Sequence, residues 1–377
     1  MEGLMLLVYI LSLLFLIIFS LFMRENRTNG SVQHETDLNE VWSFLEKNGG
    51  NHISHLSFLN DKLFYWAKNE QVLLTYQQVG RTYVVLGDPI GKEAFIKDAI
   101  NEFQQFCSRS GNEAVFYQVS PRFLGDYTNE GYRTVKVGEE ARIRMPDFST
   151  VGKKKTRLRT PINKFQRNGY QFAVLFPPHS ARLKDELKAV SDSWLGKRKE
   201  KGFSVGFFCE NYLARFPLAI VTSPDRKIIA FATLACNQQQ KNRAITIDLM
   251  RYLQDSPSGT MDFLFISIFN WCKEQGYEWC SLGMSPLANL RESEKFNLVE
   301  SIGQFIYKRG NYFYNFKGLY EYKNKFEPIW ESRYLVYKKH TLPIIFVHIT
   351  RLIHRKRKAD IKEAAVTYLK RRITKAG

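Results

Sequence analysis

On either side of an acid-free basic segment, Val151 to Tyr170, the chain runs through the same order of patterns: β-rich runs, a helical repeat, then a further β-rich run. In the first half, Glu40 to Lys47 and Gly91 to Ser108 carry the apolar period of helices. Lys62 to Trp66, Gln71 to Gln77, Thr82 to Leu86 and Ala114 to Val119 read as short strands. In the second half, Phe172 to Leu175 is strand-like and Ala181 to Leu195 helical. Ala219 to Thr222, Lys227 to Ala235 and Ala244 to Tyr252 follow as three strands, with Asp225 as turn chemistry between the first two. Gly259 to Gly276 is a helical pattern closed by Gly276, and Trp279 to Leu282 a buried strand. The expected fold is therefore α/β (α+β) with a duplicated architecture. No repeat of 20–50 residues is present, which excludes a solenoid. With 44% hydrophobic and 14% aromatic residues, disorder is excluded as well.

Charge is concentrated rather than spread. The formal net charge is +18, of which Val151 to Tyr170 carries +7 and Lys338 to Gly377 carries +10. Two basic surfaces are implied, of the kind that meets phosphates on nucleic acid or anionic lipid. Gly3 to Met23 is an uncharged, apolar run long enough to cross a bilayer as a helix, and no basic residue precedes it as in a signal peptide. Arg24 and Arg27 follow it, so the positive-inside rule predicts a single-pass cell-membrane protein with a cytoplasmic body. The expected organisation is an anchor over 1–24, a polar linker over 25–39, a first domain over 40–150, the basic connector 151–170, a second, catalytic domain over 171–337, and a basic tail over 338–377. In that tail IIFVHITRLI suits a membrane interface better than a core, and Asp360 to Lys375 reads as a basic amphipathic helix.

Cys107, Cys209, Cys236, Cys272 and Cys280 are odd in number and form no CxxC pair, which fits a reducing compartment. His52 and His55 form an HxxH pair with no third ligand nearby, a weak case for a metal.

More specific phrases occur in order: LGDPIG (Leu86 to Gly91), FYQVSPRFL (Phe116 to Leu124), GEEARI (Gly138 to Ile143), IDLMRY (Ile247 to Tyr252), MDFLF (Met261 to Phe265), LGMSPL (Leu282 to Leu287), FYNFKGL (Phe313 to Leu319) and YKNKFEPIWESRYL (Tyr322 to Leu335). Together they resemble the cytosolic transferase part of the phosphatidylglycerol lysyltransferases, the multiple peptide resistance factor family, over roughly Leu56 to Arg357. The resemblance implies tandem GNAT-like acyltransferase domains that move an aminoacyl group from aminoacyl-tRNA to the glycerol headgroup of phosphatidylglycerol. It also implies a large multi-helix membrane domain that flips the product. This chain offers one N-terminal transmembrane helix, so synthesis is expected of it and a separate lipid flippase becomes a possible partner.

The residue chemistry is argued separately. An aminoacyl ester is already activated, so transfer needs an alcohol, a route for its proton, oxyanion stabilisation and positioning; no cofactor is required. No good match to the phosphate loop that holds coenzyme A occurs, which favours a tRNA donor. Asp248 and Arg251 are the candidate catalytic residues: in ITIDLMRY a carboxylate and a guanidinium are costly unless paired or used. Positions i and i+3 of an unbroken strand face opposite sides, so a shared site demands a bulge between them. Asp248 would then act as base or orienting group and Arg251 hold a phosphate, the plainer alternative being a structural ion pair.

Lys323, Lys325 and Arg333 in the closing motif suit lipid phosphate or the tRNA acceptor end. Lys153, Lys154, Lys155, Arg157 and Arg159 suit tRNA phosphates without base reading. Asp262 reads as a first-turn helix residue, Gly87 to Gly91 as a tight turn, and Glu139 and Glu140 as surface acids, as partners of the basic run or as recognition of a cationic aminoacyl side chain. The expected reaction is transfer of lysine from lysyl-tRNA to phosphatidylglycerol at an anionic membrane surface, giving a cationic lipid and resistance to cationic antimicrobial peptides. The alternatives are alanyl or other aminoacyl transfer to lipid or a peptidoglycan precursor, and a non-catalytic membrane-tethered RNA- or lipid-binding module.

Overall fold

A computed structural model describes residues 37–236, 243–290, 311–338 and 342–355, with the side chains of 154 and 311–315 left aside. The first half comprises α1 (Leu38–Asn48), a 3-10 turn (Ser54–Leu59), β1 (Leu63–Ala67), β2 (Val72–Val79), β3 (Thr82–Leu86), β4 (Ile90–Gly91), α2 (Ile96–Arg109), β5 (Glu113–Val119), α3 (Leu124–Asn129) and β6 (Arg133–Arg144). The second comprises α4 (Thr156–Arg167), β7 (Gln171–Leu175), α5 (Ala181–Leu195), α6 (Glu210–Leu213), β8 (Leu218–Thr222), β9 (Ile228–Cys236) and β10 (Ala244–Tyr252). It continues through α7 (Thr260–Glu274), β11 (Trp279–Pro286), α8 (Asn311–Asn324), β12 (Ile329–Tyr337) and α9 (Leu342–Ile353).

The strands form one sheet in the order β1-β2-β3-β5-β12-β6-β11-β10-β9-β8-β7, with β4 beside β2. Each half contains antiparallel neighbours followed by one parallel pair, β3 with β5 and β10 with β11. Parallel strands need a crossover, and α2 and α7 supply it. The mixed α/β fold expected from the sequence is thus observed. Two strands that carry the quoted motifs but no clean strand pattern, β6 and β12, lie at the centre. β6 pairs with β11 on one side and β12 on the other, and β12 also pairs with β5, so the sheet is continuous across residues 150–171. Gly138 makes that junction possible, because a Cβ there would collide with the backbone carbonyl of Ser285.

The two parallel pairs differ. β3 and β5 stay in register to Leu86↔Tyr117, whereas β10 and β11 pair only from Ala244↔Trp279 to Thr246↔Ser281. Just beyond that point β10 bulges between Ile247 and Met250, and β11 shifts register between Ser281 and Met284. The strands part there.

Apolar faces cover both sides of the sheet. α7 buries Phe263, Leu264, Phe265, Ile266, Ile268 and Phe269, each side chain contributing about 1.5–3 kcal/mol of transfer free energy. α9 corrects one expectation: Ile345, Ile349 and Leu352 are buried with Val41, Leu73 and Leu335, so IIFVHITRLI packs into the core rather than offering its apolar side to a membrane interface. Gly3 to Met23 and Asp360 to Lys375 lie outside the described residues. Among those described, no helix is long and apolar enough to cross a membrane.

Candidate functional site

A cleft of about 520 Å³ opens between the chain segment after α1 and the central strands. Its walls take His52 and His55 from the 3-10 turn region, Asp88 from the turn before β4, Arg122 after β5, Glu140 and Arg142 from β6, Ser281 from β11 and Arg333 from β12. Residues from both halves therefore share it.

Glu140 sits at the floor with no exposed surface. Arg333 ion-pairs with it through Nη2 and Ser281 donates its hydroxyl to Oε1. Burial alone would raise its pKa; the positive field of His52 when protonated, Arg333 and the Ser281 hydrogen bond outweigh this and hold it at about 2. Arg333 is 3% exposed and also reaches Glu331 at 2.8 Å. The expectation that Glu139 and Glu140 are surface acids is corrected: Glu139 is 7% exposed and accepts from Lys136 Nζ at 2.7 Å. A carboxylate survives burial only with such partners.

His52 faces Glu140, Nδ1 lying 3.9 Å from Oε2. Burial lowers its pKa to about 4, with Glu140 opposing and Arg333 and His55 assisting the shift, so the ring is neutral near pH 7. Its Nε2 is buried and has no hydrogen-bond partner among the described residues. Three residues on, His55 Nε2 lies 3.7 Å from Asp248 Oδ1. Both histidines are thus set against carboxylates from distant strands.

The bulge demanded by the Asp248–Arg251 spacing is present, but it separates the two side chains into different partnerships. Asp248 accepts a 2.6 Å hydrogen bond from Tyr212, and Gly206 leaves room for it, since a Cβ there would overlap the carboxylate. Burial pushes its pKa up, and His55, Tyr212 and Lys62 more than reverse this, leaving it lowered. Arg251 pairs with Glu200 at 2.8 Å and stacks over Trp194 at 4.0 Å; burial lowers its pKa against the Glu200 charge.

The closing-motif cations separate similarly. Lys323 is buried where β10 and β11 part, and Nζ donates to the carbonyls of Gly283 at 2.9 Å and Met284 at 3.1 Å. Those carbonyls belong to the stretch of β11 that β10 has left, so the lysine satisfies acceptors exposed by the parting. Burial brings its pKa down to about 7, with Glu140 opposing. Lys325 instead pairs with Asp262, which is indeed in the first turn of α7. Arg333 alone of the three lines the cleft.

In the basic connector, Lys153, Lys154 and Lys155 form a 3-10 turn leading into α4. Lys153 and Arg157 are exposed, Lys155 pairs with Glu327 at 2.5 Å, and Arg159 donates to the carbonyls of Thr150 and Gly152. Sequence reasoning offered Glu140 only as one alternative for a cationic side chain, weighed His52 only as a metal ligand, and missed Ser281 and Tyr212 as site residues. The one usable signal was HxxH, whose spacing places both rings along one side of a short turn.

The profile of a family described as "Phosphatidylglycerol lysyltransferase, C-terminal" matches residues 42–337. The phosphatidylglycerol lysyltransferase of Bacillus subtilis (strain 168) is 38% identical over 355 residues, covering 94% of this chain and 41% of the relative. That of Staphylococcus xylosus is 36% identical over 314 residues, covering 83% of this chain and 37% of the relative. The solved structure of L-PGS from Bacillus licheniformis superposes with a TM-score of 0.76 at 40% identity, covering 87% of this chain and 100% of that one. The chain spans about two fifths of the length of these curated relatives. With the profile covering most of it and the motifs in register with the central strands, the chain belongs to the phosphatidylglycerol lysyltransferase C-terminal family.

Proposed function

We propose that this chain transfers lysine from lysyl-tRNA to the glycerol hydroxyl of phosphatidylglycerol. The observation that carries this reading is the cleft in which a buried, ionised Glu140 and the cations Arg122, Arg142 and Arg333 meet neutral imidazole. Such a site offers charge to a phosphodiester, an acid to a lysyl ammonium and a group for proton transfer, which the reaction requires together. In this reading Asp248 is an orienting group behind His55 and Arg251 braces the bulge through Glu200. Lys323 supports the parted strands, while Arg333 faces the headgroup.

The same reading takes the halves, 40–150 and 171–337, as tandem GNAT-like units whose last strands are exchanged at β6 and β12. The repeat of antiparallel strands, crossover helix and parallel strand supports it. Lys153, Lys154, Lys155, Arg157 and Arg159 form the tRNA phosphate surface between them. In this reading Gly3 to Met23 anchors the body at the inner face of the cell membrane, and peptide resistance is the consequence of the cationic lipid.

The test is incubation of the full chain with labelled lysyl-tRNA and vesicles containing phosphatidylglycerol, with ribonuclease-treated donor as control. Label in extracted lipid from lysyl-tRNA, and not from alanyl-tRNA, is the expected result; no label from any aminoacyl-tRNA overturns it. Changing Lys154, Lys155, Arg157 and Arg159 to Ala should weaken tRNA binding and flatten its salt dependence. An unchanged slope removes tRNA from that surface.

A further inference from the structure

Beyond the roles already assigned, the feature that asks most insistently for one is the nitrogen of His52 left without a hydrogen-bond partner among the described residues. A buried polar atom without a partner is costly, and this one lies in the wall of the cleft. The geometry points to His52 Nε2 as the general base that takes the proton of the acceptor hydroxyl, with Glu140 as the residue that positions the ring. This rests on the acyl-transfer reading above.

Three arrangements support it. First, Nδ1 is turned to the ionised Glu140, whose charge favours the proton on Nδ1 and leaves the lone pair of Nε2 for an incoming donor. The 3.9 Å separation is longer than a hydrogen bond, as is common before substrate closes such a contact. Second, Glu140 is itself immobilised by Arg333 and Ser281, so the ring is oriented by a carboxylate that cannot swing away. Third, β5 is bulged at Gln118, where Tyr334 pairs with Val119 and Leu335 with Tyr117, and Gln118 takes φ 67. A non-glycine residue in that region marks a side chain that has been re-aimed, and here the Gln118 side chain reaches the His52 ring and favours its protonated form, the form the ring takes after accepting a proton. The charged or titratable groups facing the ring are Glu140 from β6, Arg333 from β12 and His55 from its own segment. With its pKa lowered by burial, the imidazole is in its unprotonated form at neutral pH.

The step balances without a co-reactant. The hydroxyl oxygen bonds to the lysyl carbonyl carbon as its proton passes to Nε2, giving a tetrahedral intermediate and an imidazolium facing Glu140. The intermediate then collapses. The bond to the tRNA ribose oxygen breaks, the proton moves from Nε2 to that oxygen, and neutral imidazole is restored. Glu140 accepts no proton; it stabilises the imidazolium between the two steps.

His52→Gln separates this role from a structural one when two acceptors are compared. With vesicles of phosphatidylglycerol, kcat should fall by about 10²–10⁴-fold with KM little changed. With hydroxylamine, whose nucleophilic form carries a free lone pair and needs no base, lysyl-hydroxamate formation above background should stay within a few-fold of wild type. Retained lipid transfer, or equal loss with both acceptors in a folded variant, overturns the proposal. Should the variant not fold, the wild type in heavy water decides: slower lysyl-lipid formation with unchanged hydroxamate formation supports proton removal by a base, and no difference overturns it. If the wild type forms hydroxamate but no lysyl-lipid, the lipid acceptor fails rather than the base, and glycerol replaces the lipid in the same comparison.

Discussion

Two carboxylates, the buried Glu140 and the partly buried Asp248, are held in contrasting ways. Glu140 stands on the central strand β6, fully enclosed, and is matched by the fixed charge of Arg333 and the hydroxyl of Ser281. Asp248 stands on a bulge of β10 and is matched by the hydroxyl of Tyr212 and the ring of His55, with Lys62 contributing at longer range. The first is an ion pair whose removal strands a guanidinium in the interior. The second has no ion pair with a guanidinium and stays ionised by field and hydrogen bond together. A carboxylate locked by a charge makes a fixed reference for a neighbouring ring, whereas one held by hydroxyl and imidazole can follow movements of the bulge.

The comparison breaks most sharply if Glu140→Ala is mild. We expect it to lower unfolding free energy in urea by about 3–5 kcal/mol, because Arg333 is left with only Glu331 beside it. Replacing Glu140 and Arg333 together by Leu and Met should recover much of that loss.

The next effect is a pH dependence. A histidine whose folded pKa is about 4 lies below its unfolded value of 6.5, so the unfolded chain binds the proton first as pH falls. Stability should drop by on the order of 3 kcal/mol between pH 6.5 and about 4. Below pH 4.5 protonation of Glu140, whose folded pKa is about 2, adds to the loss. Urea midpoints measured against pH should show the first fall in wild type and not in His52→Gln.

Smaller still, Tyr212→Phe should cost about 2 kcal/mol, the range of a hydrogen bond to a charged acceptor. An effect as large as that of Glu140→Ala would erase the distinction between the two sites. Lys325→Ala is the smallest: its pair with Asp262 is about a fifth exposed, and under about 1 kcal/mol is expected.

Much of this architecture was legible in the chain. Ala181 to Leu195, Ala244 to Tyr252 and Thr82 to Leu86 were read with the observed bounds, since each has a clean period or a run of β-branched residues. A bulge at Asp248 was expected only for a site shared with Arg251; the bulge is present, yet the two side chains take separate partners. β6 and β12 were not read as strands, and the reason is chemical: RTVKVGEEARIR and IWESRYLVY place charges in mid-run, where a strand in the centre of a sheet should be apolar. Their burial depends on partners distant in sequence, as where Arg333 meets Glu140 across 193 residues. The same distance hid the function of His52, whose partner lies on a strand that local pattern did not predict.

Local periodicity and turn chemistry act over a few residues, so the sequence by itself determined the α/β class, the two crossover units and the order of the motifs. Which carboxylate meets which cation depends on register between strands far apart in the chain, and no short window encodes it. The tertiary structure therefore decided that Asp248 and Arg251 take separate partners, that Lys323 supports the parted strands, and that Glu140 and His52 face one another in the cleft.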